Sequence, residues 1–146
     1  CDHATKYAAK QSLAASVPAT IVPGVVELVY SENHDTAFSV FRSLGSRAPK
    51  GLLVALPVVA LGAVGFLAWR RRKVATKLEL TGYAVVVGGA LGNVIDRVFR
   101  GYVIDFIHVS HWPVFNVADI AVAVGVGLLL RSTFVRAKPP GEIAPG

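Results

Sequence analysis

The sequence predicts an all-α membrane protein: an antiparallel transmembrane helix bundle with three spans in this chain, carrying a small extracytoplasmic β-containing segment. Three observations lead there. The 146 residues are 53% hydrophobic and only 16% charged, a skew away from the averages of soluble domains. Long uncharged runs recur with basic residues standing at their ends. Around these runs lie two short segments, "VVELVY" and "YVIDFIHV", rich in the β-branched and aromatic residues that suit extended chain.

Residues 1–16 are mixed in character and compatible with a helix. Pro18 and Pro23 break that pattern, and "VVELVY" supplies a strand. "SENHDTAFSVF" begins with turn-forming residues and returns to apolar ones, and "RSLGSRAPKG" is a loop. Gly51–Trp69 is then a run of 19 residues without charge, enough to cross roughly 30 Å of hydrocarbon at roughly 1.5 Å per residue. Pro57 is tolerated near its start. "RRRKVATK" is a short link that makes an antiparallel hairpin with the next run, Leu80–Ile95, which has 16 uncharged residues. There Gly88 and Gly92 form a GxxxG pair, widened by Gly89 and Ala90, that lets a neighbouring backbone approach closely. Past Arg100 and Gly101 the segment "YVIDFIHV" reads as extended. Pro113 ends it, and Asn116 stands at the N-cap of the last helix with Asp119 three residues on, a spacing resembling a capping box. The uncharged stretch Ile120–Leu130 follows. Residues 1–138 are expected to form one domain, and 139–146 a disordered cytoplasmic tail too poor in apolar residues to pack.

A net charge of +6 is compatible with nucleic acid as a partner, but its placement points to a membrane instead. Arg70, Arg71, Arg72 and Lys73 directly follow the first clear span, and Arg131, Arg136 and Lys138 follow the last. Both basic ends can face the cytoplasm, as the positive-inside rule asks, with Arg42, Arg47 and Lys50 weakening the asymmetry. The lone cysteine, Cys1, makes no intramolecular disulfide. Since the chain contains no methionine and starts at Cys1, an upstream segment is expected to be missing.

Asp105 lies between Ile104 and Phe106, where a charge beside a membrane is costly and usually functional. A proline-containing loop separates it from Asp119 and can fold the start of the last helix back against the extended segment. Two carboxylates that meet do not both ionise readily, so one holds a proton while the other acts as a base toward a shared water. The competing reading of Asp119 is a simple helix cap that favours the macrodipole. Asn93, Asp96 and Arg97 share one helical face at i, i+3 and i+4, either as an interfacial salt bridge and cap or as donors to a peptide or lipid headgroup. Asp105, His108 and His111 have metal-ligand spacing, but a three-residue step along an extended chain points to opposite faces, so ligation needs a bend. No phosphate-binding loop, nucleophile elbow or dinucleotide fingerprint is present.

At this point the chain resembles the lipoprotein signal peptidases, or signal peptidase II, integral aspartyl proteases of the bacterial inner membrane. The resemblance rests on "GGALGNVIDR" at 88–97, "GYVIDFI" at 101–107 and "FNVAD" at 115–119, with "DHATK" at 2–6 and "ENHDTAFS" at 32–39 upstream. It implies that Asp105 and Asp119 are a catalytic pair, that Asn33, Asn93, Asp96, Arg97 and Asn116 shape or bind in the site, and that Asp2 and Lys6 support it. It also implies cleavage of diacylglyceryl-modified prolipoproteins just before the lipidated cysteine, with no cofactor and no metal. Membrane lipid and globomycin-like inhibitors are then candidate partners, and the active site faces the extracytoplasmic side. A noncatalytic paralogue that binds lipopeptides or such inhibitors is the alternative; an ion or proton carrier is disfavoured by the few spans and the lack of a broken-helix repeat. Two departures stand out. Asp35 replaces the family's glycine, and the family's first transmembrane helix, which would make four spans, is missing upstream of Asp2. Cys1 is accordingly expected to reflect trimming at a helix mistaken for a signal peptide rather than a lipidated terminus.

Overall fold

Long apolar helices and short β-branched strands segregate into two parts of the molecule, and the turns between them explain how. The computed structural model describes residues 2–14, 17–34 and 50–137. Within these, α1 (Asp2–Leu13) is followed by β1 (Ala19–Val22) and β2 (Val26–Asn33), then by α2 (Lys50–Arg71), α3 (Lys77–Arg100), β3 (Val103–Val109) and α4 (Val117–Ala137). Cys1, Asp35 and the tail 139–146 lie outside the described residues, and with them the expectations placed there.

Helix α3 has sharp ends. Thr76 caps it, its hydroxyl oxygen accepting from the Glu79 N–H at 3.2 Å. Gly101 stops it in the left-handed region at φ 79°, its own N–H donating to the Arg97 carbonyl at 3.1 Å. That glycine turns the chain out of the helix and straight into β3.

The three strands form an antiparallel sheet in the order β1-β2-β3. Strand β1 is an element the sequence reading did not separate; its signal is "ATIV" followed by Pro23-Gly24, with Gly24 at φ 72° closing the hairpin. Ser31 stands opposite Asp105 and Asn33 opposite Val103, so Asn33 and Asp105 are diagonal neighbours on one face. Phe115 and Ile107 exchange backbone hydrogen bonds of 2.8 and 3.0 Å, which folds the loop after β3 back on the strand. Asn116 and the start of α4 are thereby carried alongside Asp105.

Against this sheet α1 packs as it would in a soluble domain. Ala9, Ile104 and Phe106 are buried, with Leu13, Leu28, Tyr30, Tyr102, Ile107 and Val117 around them. The helices α2, α3 and α4 behave differently. Each is long and apolar enough to cross a membrane, over Val54–Arg71, Lys77–Arg100 and Val117–Val135, and each leaves large apolar side chains exposed, among them Val59, Phe66, Leu91 and Phe134. Such surface is stable in lipid rather than in water. The helix ends at Arg71 and Lys77 and the end of α4 lie together, away from the sheet: Arg71 pairs with Glu79, beside Tyr83, Ser132 and Thr133.

The α3–α4 contact is a glycine seam, though not the expected one. A Cβ on Gly88 would meet nothing within 4 Å, so the Gly88–Gly92 pair is not the interface. The seam is formed by Gly82 and Gly89 on α3 and Gly125 on α4. A Cβ on Gly89 would come within 2.6 Å of the Ala118 carbonyl oxygen, and one on Gly125 within 2.8 Å of the Val86 nitrogen. One residue's shift in phase separates Gly88 from Gly89, and on a helix that is a turn of about 100°.

Candidate active site

Where the glycine seam ends, polar side chains from α1, α3, β2, β3 and the start of α4 converge. Gly92, one residue before Asn93, makes room for α1 instead: a Cβ there would come within 2.6 Å of Asp2 Oδ2.

Asp105 is nearly inaccessible, at 3% exposure. Its Oδ2 accepts from Asn33 Nδ2 at 2.8 Å and its Oδ1 from Asn116 Nδ2 at 2.6 Å. Burial pushes its carboxyl above the usual carboxylate range, and the neighbouring Asp119 charge pushes the same way; the donors Asn33 and Asn116 and the Lys6 charge oppose the shift without cancelling it. Ile104, fully buried, and Phe106 supply the apolar surroundings read from the sequence.

Asp119 sits in the first turn of α4. Its Oδ1 accepts from Asn93 Nδ2 at 2.8 Å, and its Oδ2 accepts from the Asn116 N–H at 3.1 Å. The Asp119 N–H returns a bond to Asn116 Oδ1 at 3.2 Å. This reciprocal pair is the capping box expected from spacing. The cap and the carboxylate pair are therefore not rival readings of Asp119, because one residue, Asn116, joins them. Its backbone holds Asp119 while its side-chain amide reaches Asp105, and the second amide hydrogen reaches Asn93 Oδ1 at 3.2 Å.

Behind Asn93 lies a second cluster. Lys6 is fully buried and donates to Asn93 Oδ1 at 2.8 Å. It also forms ion pairs with Asp2 Oδ2 at 2.8 Å and Asp96 Oδ2 at 2.7 Å. These two contacts have ion-pair distances but not the alignment of hydrogen bonds. Arg100 closes on the other Asp96 oxygen, with His3 Nδ1 3.6 Å from it. Arg97, on the same helix, interacts electrostatically with Asp105, Asp119 and Asp96 together.

The structure thus gathers Asn33, Asn93, Arg97, Asp105, Asn116 and Asp119 around one point, and Asp2, Lys6 and Asp96 directly behind it. Arg100 and His3 were not among the site residues read from the sequence. For Arg100 a signal existed in its i, i+4 spacing from Asp96; for His3 none did. Asp2, His3 and Asp96 present possible ligand atoms within 4.8 Å of one another, but the Lys6 ammonium pairs with both carboxylates, so a cation already stands among them. His108 turns instead to Glu27, 3.7 Å away, and His111, at φ 65°, contacts Ser110 at 2.8 Å, so neither joins Asp105.

Comparison with known proteins yields a consistent picture. Residues 1–135 match the sequence profile of the family described as Signal peptidase (SPase) II. A lipoprotein signal peptidase of Haemophilus ducreyi is 38% identical over 125 residues, covering 81% of this chain and 74% of the relative. One from Thermodesulfovibrio yellowstonii is 40% identical over 133 residues, covering 88% and 84% respectively. Among solved structures, a bacterial membrane enzyme superposes with a TM-score of 0.79 at 22% identity, covering 99% of this chain and 87% of the other. A second does so at 0.76 and 23% identity, covering 94% and 86%. These two likenesses establish the fold.

Proposed function

This chain belongs to the signal peptidase II family, and on that premise we propose that it is a multi-pass membrane endopeptidase of aspartic type that removes signal peptides from prolipoproteins, using Asp105 and Asp119. The substrate is a diacylglyceryl-modified precursor cut before its lipidated cysteine. The observation that carries the reading is the double grip of Asn116, whose amide donates to Asp105 and whose backbone N–H donates to Asp119.

In this mechanism a water lies between the two carboxylates. Asp119, at a helix N-terminus and receiving donors from Asn93 and Asn116, is the ionised base. Asp105, held toward its neutral form by burial, is the acid. Asp119 takes a proton from the water as its oxygen attacks the scissile carbonyl carbon, while Asp105 gives its proton to the carbonyl oxygen. The resulting diol collapses: a hydroxyl proton returns to Asp105, the proton on Asp119 passes to the amide nitrogen, and the C–N bond breaks. Both carboxyls regain their starting states, and no covalent intermediate forms. Arg97 compensates for the negative charge around the pair.

The exposed apolar faces of α2, α3 and α4 seat the protein in the membrane. With Arg70, Arg72 and Lys73 on the cytoplasmic side, the dyad lies at the opposite, extracytoplasmic face, where a precursor's lipid remains in the bilayer while its peptide reaches the sheet. A noncatalytic binding role has no observation in its favour. The test is processing of a dipalmitoylated prolipoprotein by the purified full chain in detergent, followed by gel mobility. Asp105→Asn and Asp119→Asn should each leave the precursor uncut; full cleavage by either variant refutes the dyad.

A further inference from the structure

We infer that Lys6 is a positioning residue which fixes the orientation of the Asn93 amide against Asp119. The inference rests on the dyad reading above. An asparagine amide can present either its oxygen or its NH₂ along a given direction, and only its partners decide which. A lysine ammonium has donors alone. With Lys6 Nζ 2.8 Å from one end of the Asn93 amide, that end must be oxygen, and the NH₂ is turned to Asp119. The same oxygen accepts from Asn116 Nδ2, which is itself the donor to Asp105. The Asn116 amide is oriented separately by the Asp119 N–H on its Oδ1, so the amide whose polarity follows from the buried cation is Asn93.

The constraint matters most at one moment of the cycle. While Asp119 is ionised, its own charge holds the Asn93 NH₂ toward it. Once Asp119 has taken the proton of water it can donate, and an Asn93 flipped to offer its oxygen would bind that proton and retain it. Lys6 forbids the flip, since it would set NH₂ against the ammonium. Lys6 is equipped for this, because Asp2 and Asp96 hold the ammonium from two sides and Arg100 anchors Asp96 in turn. The charged groups around Asp119 are Asp105 on β3, Arg97 and Asp96 on α3, and Lys6 and Asp2 on α1; the variants below leave the first three in place.

The experiment measures kcat and KM for the dipalmitoylated precursor across pH, with thermal unfolding, on the full chain in detergent. Lys6→Met should lower kcat by about 100-fold, the scale of a misplaced catalytic group, with KM unchanged. The acidic limb of its kcat profile should move to higher pH, because the base now gives up its proton less readily. Lys6→Met leaves Asp96 with Arg100 but removes the ammonium from Asp2, so Lys6→Met combined with Asp2→Asn serves as the balanced variant: unfolding temperature should recover while kcat stays low and the limb stays displaced. Lys6→Arg, again a donor alone, should keep the wild-type pH profile at a reduced rate. Wild-type kcat in the balanced variant would show that Lys6 supplies charge balance only and would overturn the inference. So would an unshifted profile for Lys6→Met, or a Lys6→Arg profile displaced like that of the methionine variant. Failure of the dyad reading is separate, since it would appear as cleavage by Asp105→Asn whatever the Lys6 variants do.

Discussion

Two polar clusters sit back to back in this molecule and are built on opposite principles. Around Asp105 and Asp119 the hydrogen bonds described come from neutral amides and a backbone N–H, from Asn33, Asn93 and Asn116, with the Arg97 charge acting on both carboxyls. Around Asp2 and Asp96 the partners are full cations, Lys6 and Arg100. Amide donors hold a carboxylate in place without fixing its charge, so a proton can come and go. Cations paired at close range in a buried setting hold the charges as well as the positions, and breaking one such pair costs far more than forming it returns. The first cluster is suited to proton transfer and the second to support, although both use aspartates.

The sharpest way to break that contrast is to remove an aspartate of the first cluster. Asp105→Asn or Asp119→Asn should reduce cleavage by on the order of 10⁴-fold, the scale seen when one member of a catalytic unit is lost, as measured by initial rates on the lipidated precursor. Next comes Asn116→Ala, which takes the amide from Asp105 and half of the cap from α4. A loss of about 10²-fold in kcat and about 1 kcal/mol in unfolding free energy is expected, by kinetics and denaturation in detergent.

The raised Asp105 carboxyl gives a pH signature of known sign. Its proton is held to higher pH in the folded protein than in the unfolded chain, so folding takes up a proton between the ordinary aspartate range and the raised value. Stability contributed by Asp105 should therefore fall as pH rises through that window. Because Asp105 is the proposed acid, kcat/KM should decline on the alkaline side of the same window, and a pH–rate profile checks both the limb and its disappearance when Asp105 is replaced. The smallest effect belongs to the far end of the bundle. Glu79→Gln weakens the pair with Arg71, where the half-exposed arginine keeps the loss to about 1 kcal/mol or less, and cleavage should be unchanged.

How much of this was legible beforehand differs between the two clusters. The uncharged runs located the three long apolar helices because hydrophobic length is a one-dimensional property. The cap at Asn116 and Asp119 was legible because its partners are three residues apart. The segment 103–109 was readable as extended from Val103, Ile104, Phe106 and Ile107. The small-residue patch at 88–92 was legible and included Gly89, but which of Gly88 and Gly89 faces the partner helix was not, since both are small and only that helix distinguishes them. Lys6 was visible only through resemblance. Its partners Asn93 and Asp96 lie far along the chain, and nothing in "DHATK" alone indicates that the lysine is buried. Asn33 likewise depends on strand register, which no local pattern encodes.

Gly89 has a further effect one turn above itself. Where a side chain would stand, the Ala118 backbone stands instead, so atoms that are absent determine how far α3 lies from α4. Asn93, on α3, and Asp119, next to Ala118, inherit that separation. The seam thus works as a caliper set to zero clearance. Gly89→Val would open it by wedging the helices apart, at about 1–3 kcal/mol for overpacking, and would lengthen the 2.8 Å contact from Asn93 to Asp119 without altering a polar atom.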